Sequence, residues 1–470
     1  MKKTFATLTT LTLVFWFTLG VNAQKITSGF IYKHTYKDLD KATQNPQDVY
    51  GLRLSGKKLT KFPMVILKFK NLRKLDLQNN KLTEIPAEIK QLKNLTALKL
   101  NSNQLTTLPA EIGQLEQLTD LRVSRNKLQS LPAEIGQLTQ LTWLGINDNQ
   151  LQSLPSTLGQ LKKLEFFSVS NNKISAIPSE ILRWPSITFL SLSNNQLKKL
   201  PATIGKLPKL ESLFLGGNQL ASLPSEIGQL QSLKTLSLKF NVLASVPTTI
   251  GQLANLNYLT FRENGLSTLP KEITQLKKLT DLNLSENKFT QVPKEVLKLK
   301  SLKKLYFYDN QITAIPKQIG LLENLITLDF GENKITVVPQ ALYGLVALQK
   351  LDLAQNAIRQ LSPKIGQLKQ LKELRIIECQ LQTLPAELFT LTNLETLSLS
   401  KNPLKVMPPG IGQLQKLEWL RLYQAQLTDL PAEIKNLKKL EYLDLRKNTI
   451  SENKQQKITE ALPSECDVKF

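Results

Sequence analysis

The side chains best suited to acid–base, nucleophilic or metal chemistry are rare in this sequence. It contains one histidine, His34, and two cysteines, Cys379 and Cys466. Because His34 precedes the repetitive part of the chain, no Ser–His or Cys–His pair can form within that part. The sequence also lacks a CxxC, an HExxH and a glycine-rich phosphate loop. We therefore expect no catalytic, metal or cofactor site, and hence no enzyme.

A second group of candidate residues consists of carboxylates at a constant spacing. Four acidic residues follow one another at intervals of 23 residues: Glu263, Glu286, Asp309 and Glu332. Like charges on neighbouring strands repel each other, so such a column favours a cation such as Ca²⁺ or a basic partner. Alternatively, Lys288 and Lys334, two residues along, neutralise a solvated face. We assign no metal to the column and treat it as a secondary polar site.

The 23-residue spacing belongs to a repeat that fills most of the chain. Residues 141–151, LTWLGINDNQL, are followed by Leu-Pro at 154–155 and by Leu158 and Leu161. The pattern starts at Val49 and occurs eighteen times, the last copy beginning at Leu440, without insertion or deletion. A period of this length is typical of a solenoid, in which each repeat buries its apolar edge against its neighbours.

The spacing within the repeat predicts its conformation. Alternation such as Leu144-x-Ile146 predicts a short strand with one face inward. The ninth residue is asparagine in fifteen of the eighteen repeats, the exceptions being Lys57, Cys379 and Ala425, and we expect these amides to form a hydrogen-bonded ladder. A following proline suits the turn to the outer side. The expected fold is an α/β solenoid, with one continuous parallel β-sheet on the concave face and short helical turns outside.

The first 23 residues have the pattern of a signal peptide. Lys2 and Lys3 precede an uncharged apolar stretch, residues 5–20, and small residues lie at 21–23. We expect cleavage before Gln24, with an uncleaved membrane anchor as the alternative. The mature protein is then expected outside the cytoplasm, secreted or in the cell envelope (outer surface or periplasm), without a membrane span.

The segments that flank the repeats are expected to be caps, because the end repeats of a solenoid need covering. Residues 24–48 form the N-terminal cap, with a helix over 36–45 that Pro46 stops. Residues 49–450 hold the eighteen repeats. Residues 451–470 form the C-terminal cap, with a helix that Pro463 ends and a final strand from Asp467.

The two cysteines are expected to stay unpaired. Cys379 and Cys466 lie more than three repeats apart, or roughly 15 Å at about 4.8 Å per stacked strand. A disulfide requires Cα atoms within about 7 Å. Both thiols should therefore be free and structural.

Aromatic residues are the strongest candidates for binding. They make up 6% of the chain, yet six consecutive repeats each carry one where the strand faces outward: Trp143, Phe166, Phe189, Phe214, Phe240 and Tyr258. Contiguous exposed apolar surface marks interaction sites, and aromatic residues anchor interfaces. The run extends about 24 Å at 4.8 Å per strand, which suits one side of a protein partner. The alternative is that these large side chains only shield the sheet, with Trp143, Phe166 and Phe189 stacking on each other.

The formal net charge of +23 favours anionic partners. Export argues against nucleic acid, which leaves sulfated glycans, lipid headgroups and acidic proteins. Lys74, Arg122 and Arg125 point outward from the first strands and belong to a basic patch. An alternative function is therefore capture of an anionic polymer, although lysine that only keeps a long solenoid soluble explains the charge equally well.

The repeat pattern LxxLxLxxNxLxxLPxxIGxL resembles that of the leucine-rich-repeat superfamily, in the 23-residue Leu-Pro type shared with plant resistance and Roco proteins. The caps are similar to those of the secreted leucine-rich-repeat proteins of pathogenic leptospires. The matching residues are Tyr36–Leu39, Asn45–Pro46, Val49, Ile458, Leu462–Pro463 and Cys466–Phe470. The resemblance implies a curved solenoid and a virulence-related role in recognising a host surface or matrix molecule. We therefore expect a secreted protein-binding scaffold that uses its concave face.

Overall fold

The computed structural model describes residues 27–470, so the predicted signal peptide lies outside the described residues. The chain forms a single sheet of 20 strands. Each strand pairs in parallel with the next strand in sequence, and between repeats the register advances by 23 residues, as in Leu144 opposite Phe167 and Phe167 opposite Leu190. The sheet is open, and the expected solenoid with one continuous parallel sheet is confirmed.

One three-residue strand comes from each repeat, and two further strands come from the caps. In chain order, from β1 to β20, the strands are Thr35–Tyr36, Gly51–Arg53, Lys74–Asp76, Ala97–Lys99, Asp120–Arg122, Trp143–Gly145, Phe166–Ser168, Phe189–Ser191, Ser212–Phe214, Thr235–Ser237, Tyr258–Thr260, Asp281–Asn283, Lys304–Tyr306, Thr327–Asp329, Lys350–Asp352, Glu373–Arg375, Thr396–Ser398, Trp419–Arg421, Tyr442–Asp444 and Asp467–Lys469.

The outer side consists of short 3-10 helices, which match the expected helical turns. They span Pro46–Asp48, Met64–Lys68, Ala87–Gln91, Ala110–Gln114, Ala133–Gln137, Ser156–Gln160, Ser179–Leu182, Ala202–Lys206, Ser225–Gln229, Thr248–Gln252, Lys271–Gln275, Val296–Lys298, Lys317–Leu321, Gln340–Gly344, Pro363–Gln367, Ala386–Thr390, Pro409–Gln413 and Ala432–Asn436. A glycine such as Gly113 lets adjacent turns touch, since a Cβ there would collide with the Glu134 carbonyl.

The α-helices lie at the two ends of the solenoid. Helices α1 (Ser28–Lys33) and α2 (Leu39–Gln44) precede the repeats, and α3 (Glu452–Ala461) follows them. The predicted helix over 36–45 is too long, because Tyr36 belongs to β1, which pairs with the first repeat strand. Its backbone supplies hydrogen bonds to an edge that would otherwise lack them. The sequence prediction also missed α1.

The interior holds the leucine positions and the asparagine ladder. Asn126 is typical: its Oδ1 accepts from the Leu105 backbone N–H at 3.0 Å, and its Nδ2 donates to the carbonyls of Leu100 and Val123 at 3.0 Å each. Each amide thus joins its own repeat to the one before it, which satisfies backbone groups that burial would otherwise leave unpaired. The predicted ladder is confirmed.

Two repeats that lack the asparagine are covered by the next repeat. Asn402 Oδ1 accepts from both Cys379 N–H and Leu381 N–H at 3.0 Å. The Cys379 thiol donates to the Leu353 carbonyl at 3.1 Å. Asn448 acts in the same way for the repeat of Ala425, accepting from its N–H at 3.0 Å. The amide of the following repeat thus binds the N–H of the substituted residue in addition to its usual backbone partner.

Candidate binding face

Three of the six predicted aromatic residues form one continuous stack on the concave face. Trp143, Phe166 and Phe189 occupy the first position of β6, β7 and β8, and the parallel register places each opposite the next. The ring centroids of Trp143 and Phe166 lie 3.5 Å apart, and those of Phe166 and Phe189 lie 4.4 Å apart. The three side chains are therefore half-buried by one another, which is the arrangement that the shielding alternative anticipates.

Both ends of this stack are closed. The Arg122 guanidinium lies 4.9 Å from the Trp143 ring centroid. At the other end Phe214 lies 5.3 Å from Phe189, with its ring tilted by 40°. The ring faces consequently contact neighbours, and ring edges are what the stack presents to solvent. A ligand that needs a flat aromatic face, as a sugar ring does, finds little of one here.

Phe214 and Phe240 depart from the stack and create an open pocket. Phe214 is the last residue of β9, two positions beyond the column that holds Phe189. Phe240 follows β10 and has a left-handed backbone, with φ of 57°. The pocket has a volume of about 380 Å³. Its lining is Phe189, Ser191, Ser193, Asn194, Phe214, Gly216, Ser237, Lys239 and Phe240. We call this site the phenylalanine pocket.

The pocket combines aromatic walls with a polar floor and a cationic rim. Lys239 Nζ lies 5.3 Å from the Phe240 ring centroid, and Arg262 Cζ lies 5.5 Å from it. Arg262 is held from the far side by Glu286, at 2.6 Å. A pocket of this kind accepts an apolar side chain and offers hydroxyl groups to the backbone that carries it.

Tyr258, the sixth predicted residue, stands apart. It is 40% exposed and lies beside the Lys304–Asp281 ion pair, in which the nitrogen and oxygen are 3.0 Å apart. Partial burial, and then the Asp281 charge, raises the pKa of the Tyr258 hydroxyl. The aromatic run predicted from sequence is therefore not one surface: it consists of a stack, a pocket and a single exposed tyrosine.

The acidic column continues the concave face beyond the pocket. Its four members share a left-handed backbone, with φ between 49° and 55°: Glu263, Glu286, Asp309 and Glu332. Burial, and then contact with Glu286, raises the pKa of Glu263. Burial and the neighbouring carboxylates also raise the pKa of Asp309. These shifts show that the like charges along the column disfavour one another.

The predicted partners of the column are wrong. Within residues 27–470 neither Lys288 nor Lys334 forms an ion pair. Arg262 pairs with Glu286 instead, and the Tyr308 hydroxyl donates to Glu332. In both of these pairs the partners lie 24 residues apart along the chain and meet across neighbouring repeats. Over the described residues no group of His, Cys, Asp and Glu side chains is arranged to hold a metal ion.

Two buried aspartates beside the column were not predicted. Asp329 and Asp352 are the last residues of β14 and β15 and lie opposite each other. Burial, and then the Asp352 charge, raises the pKa of Asp329 to about 6. Burial also raises the pKa of Asp352, although Arg375 pairs with it at 3.1 Å. Two aspartates 23 residues apart at a strand position were the available signal in the sequence.

The basic residues predicted for an anionic polymer are not brought to the pocket. Lys74 lies in β3, three strands before the aromatic stack. Arg122 is engaged with Asp120 at 2.8 Å while it covers Trp143. Arg125 follows β5 in a left-handed conformation, with φ of 57°. The three cations are thus spread over the first repeats, and one of them is neutralised internally.

His34 and the two cysteines, Cys379 and Cys466, make contacts within the fold. His34 stacks on Phe30, with ring centroids 4.1 Å apart, and its Nε2 lies 3.4 Å from Asp48, all within the N-terminal cap. Cys379 and Cys466 are both free, as predicted. Burial raises the pKa of the Cys379 thiol to about 11, so this thiol stays protonated and poorly nucleophilic. Across residues 27–470, no helix has both the length and the apolarity needed to cross a bilayer.

The fold is a solenoid of parallel strands. Its inner face presents successive columns of side chains, which is the architecture of a repeat scaffold. The family model for the leucine-rich repeat region matches residues 55–141, 156–248, 247–331 and 359–464, and a leucine-rich-repeat model matches residues 116–174. The chain belongs to the leucine-rich-repeat family. None of the curated proteins matches it.

Solved structures agree with this assignment. A leucine-rich-repeat protein of Leptospira interrogans is 39% identical, with 93% of this chain and 99% of that chain covered and a TM-score of 0.71. The plant peptide hormone receptor RGFR1, solved in complex with RGF2, is 31% identical, with 84% and 74% covered and a TM-score of 0.66. The Arabidopsis receptor kinase HAESA, solved with the peptide hormone IDA and the co-receptor SERK1, is 26% identical, with 88% and 76% covered and a TM-score of 0.64.

Proposed function

We propose that this chain is a secreted, non-enzymatic scaffold that binds a protein partner on its concave face, with the phenylalanine pocket as the anchor point. The observation that carries the proposal is the open cavity of about 380 Å³ between Phe189, Phe214 and Phe240. The neighbouring stack shields its own faces, but these three rings leave a space that no side chain of the described residues fills. Such a pocket is where an interface residue gains most of its binding energy.

The lining indicates the chemistry of the partner. An aliphatic or aromatic side chain fits between the rings, while Ser191, Ser193 and Ser237 can hydrogen-bond to the backbone around it. Ring edges along the stack offer a further apolar strip, about 10 Å long for two steps of 4.8 Å. We infer an apolar anchor residue in a segment that runs along the sheet, rather than a polymer held by charge.

The biological setting of the proposal comes from resemblance and from the N-terminal sequence. The signal-peptide pattern of residues 1–23 supports export. The Leptospira interrogans relative, a leucine-rich-repeat protein, agrees with the resemblance of the caps to secreted leptospiral proteins, and the receptors solved with peptide hormones support polypeptide binding by this fold. The partner we propose is therefore a host cell-surface or extracellular-matrix protein.

The proposal is tested by truncating the pocket. The double change Phe214→Ala and Phe240→Ala should weaken binding to immobilised, purified matrix and cell-surface proteins by at least roughly thirtyfold, because an anchor residue contributes about 2 kcal/mol or more. Surface plasmon resonance gives the affinities. Phe189 is left intact because losing its stack would itself cost about 0.5–1.5 kcal/mol of stability.

The matched control is Val242→Ala, which truncates an exposed apolar side chain (59% exposed) next to the same strand; its binding should match the wild type. A second comparison changes Lys74 and Arg122 to glutamine. Binding that survives loss of the two phenylalanines, but disappears with the two cations and at raised ionic strength, would replace the proposal with capture of an anionic polymer.

A further inference from the structure

Four of the described strands end on an arginine. Three of these arginines lie within 4.0 Å of a carboxylate: Arg53, Arg122 and Arg375. Arg421, the last residue of β18, has no carboxylate at that distance among residues 27–470. A cation left unpaired on a surface where its equivalents are paired is the feature that needs explaining.

Arg421 is held in place by aromatic rings. Its guanidinium carbon lies 5.3 Å from the Trp419 ring centroid and 5.9 Å from that of Tyr442. One of its N–H groups donates weakly to Ser398 Oγ, at 3.4 Å. The rings orient the guanidinium without using its in-plane donors, so most of its N–H groups stay available.

The carboxylate opposite Arg421 is engaged by another arginine. Asp444 is the register partner of Arg421 in the adjacent strand, but Arg446 binds both of its oxygens, at 2.9 Å and 2.7 Å. The Arg421 charge acts on Asp444 from a distance, without an ion pair within 4.0 Å. The donors of Arg421 are therefore left for an acceptor that comes from outside the chain.

The surroundings define the size of that acceptor. Lys401 and Lys469 are paired with Glu378 and Asp467. Lys447 lies over the Tyr423 ring at 5.2 Å. Arg421, beside the exposed Trp419 (37% exposed), therefore matches a single carboxylate. A sulfated polymer would need a longer series of unpaired cations.

We propose that Arg421, beside the Trp419 and Tyr442 rings, is a recognition site for an acidic side chain of a protein partner, with its guanidinium binding the carboxylate through two hydrogen bonds. This site lies on the last two repeats, nine strands from the phenylalanine pocket, or about 43 Å at 4.8 Å per strand. It stands independently of the pocket and of the proposed function.

The test titrates the full chain with a hexa-glutamate peptide, followed by tryptophan fluorescence and calorimetry at low salt. Arg421→Gln should weaken binding at least tenfold, since a charge-assisted bidentate pair is lost. Arg421→Lys, which keeps the charge but not the fork, should recover only part of the affinity. The matched control, Arg53→Gln, removes the same charge at the same strand position, from an arginine paired with Asp76, and should change affinity less than twofold.

Hexa-glutamine and a sulfated heparin hexasaccharide are the other probes. Hexa-glutamine should not bind. Equal losses for Arg421→Gln and Arg53→Gln, or heparin binding that is stronger than peptide binding and insensitive to Arg421, would overturn the proposal in favour of diffuse charge attraction. Thermal unfolding of each variant, expected within about 1 °C of the wild type for exposed positions, separates a lost site from a lost fold.

Discussion

The aromatic stack and the acidic column are built on the same repeat and behave in opposite ways. Along the stack, Trp143, Phe166 and Phe189 attract their neighbours, one strand apart. Along the column, Glu263 and Glu286 repel each other at the same spacing and need Arg262 to offset the repulsion. The buried positions therefore determine the architecture, whereas the side chains at the outward positions make either favourable or unfavourable contacts with their neighbours.

The largest expected effect tests whether the two regions are stabilised by the same hydrophobic core. Leu192 and Leu284 hold equivalent buried positions, one beneath each region, with 1% and 0% exposure. Changing either to alanine should cost about 2–5 kcal/mol of unfolding free energy, through lost transfer energy and a residual cavity. Urea unfolding of the two variants should give nearly the same cost. If the two unfolding free-energy losses differ by several kcal/mol, the outward residues also contribute to the stability of the core.

A smaller effect should appear only in the acidic region, as pH dependence. Asp329 has its folded pKa raised to about 6 from an ordinary value of 3.8, so the folded state binds the proton more tightly than the unfolded state. The contribution of Asp329 to stability should therefore be greatest below about pH 4 and be lost as the pH rises through about 6, by roughly 1–3 kcal/mol. The aromatic stack has no such group.

The measurement is urea unfolding at a series of pH values, with Asp329→Asn as the control. The amide cannot ionise, so the variant should lose most of the decline between about pH 4 and pH 7. If the stability of Asp329→Asn falls with pH as much as that of the wild type, other groups cause the pH dependence. The acidic region would then not differ from the aromatic stack in this respect.

The smallest effect concerns the column itself. Glu263→Gln removes one charge from an exposed row of like charges, and should raise stability by a few tenths of a kcal/mol, as for other surface charges. Differential scanning calorimetry at low salt should detect the gain, and raised ionic strength should abolish it because screening acts on exposed charges. A loss of stability would show that Glu263 makes a favourable contact.

The fold was predictable because its signals are local and repeated. The alternation within Leu144-x-Ile146 predicted the strand, and the recurring asparagine predicted the ladder. The stack of Trp143, Phe166 and Phe189 was predicted as the alternative to a binding surface. The pocket beside it was not predictable, because it depends on the space that remains between the rings of Phe189, Phe214 and Phe240.

Ion pairing was the least predictable feature of the candidate sites. The sequence suggests partners two residues along, as for Lys288, but the sheet brings Glu286 to Arg262 from the next repeat. The significance of Arg421 depends on the same geometry, because only the structure shows that Asp444 is already bound by Arg446. Partners that lie one repeat away are fixed by register and side-chain length together.

The double acceptor at Asn402 shows how a substituted copy is held in the array. Asn402 Oδ1 accepts from the N–H of Cys379 as well as from its usual partner, the N–H of Leu381. Asn448 does the same for Ala425 and Leu427. The substituted copies at Cys379 and Ala425 are separated by the intact copy at Asn402, so each is followed by a copy that still carries the amide. A tandem array can therefore keep hold of an isolated substituted copy through the copy that follows it.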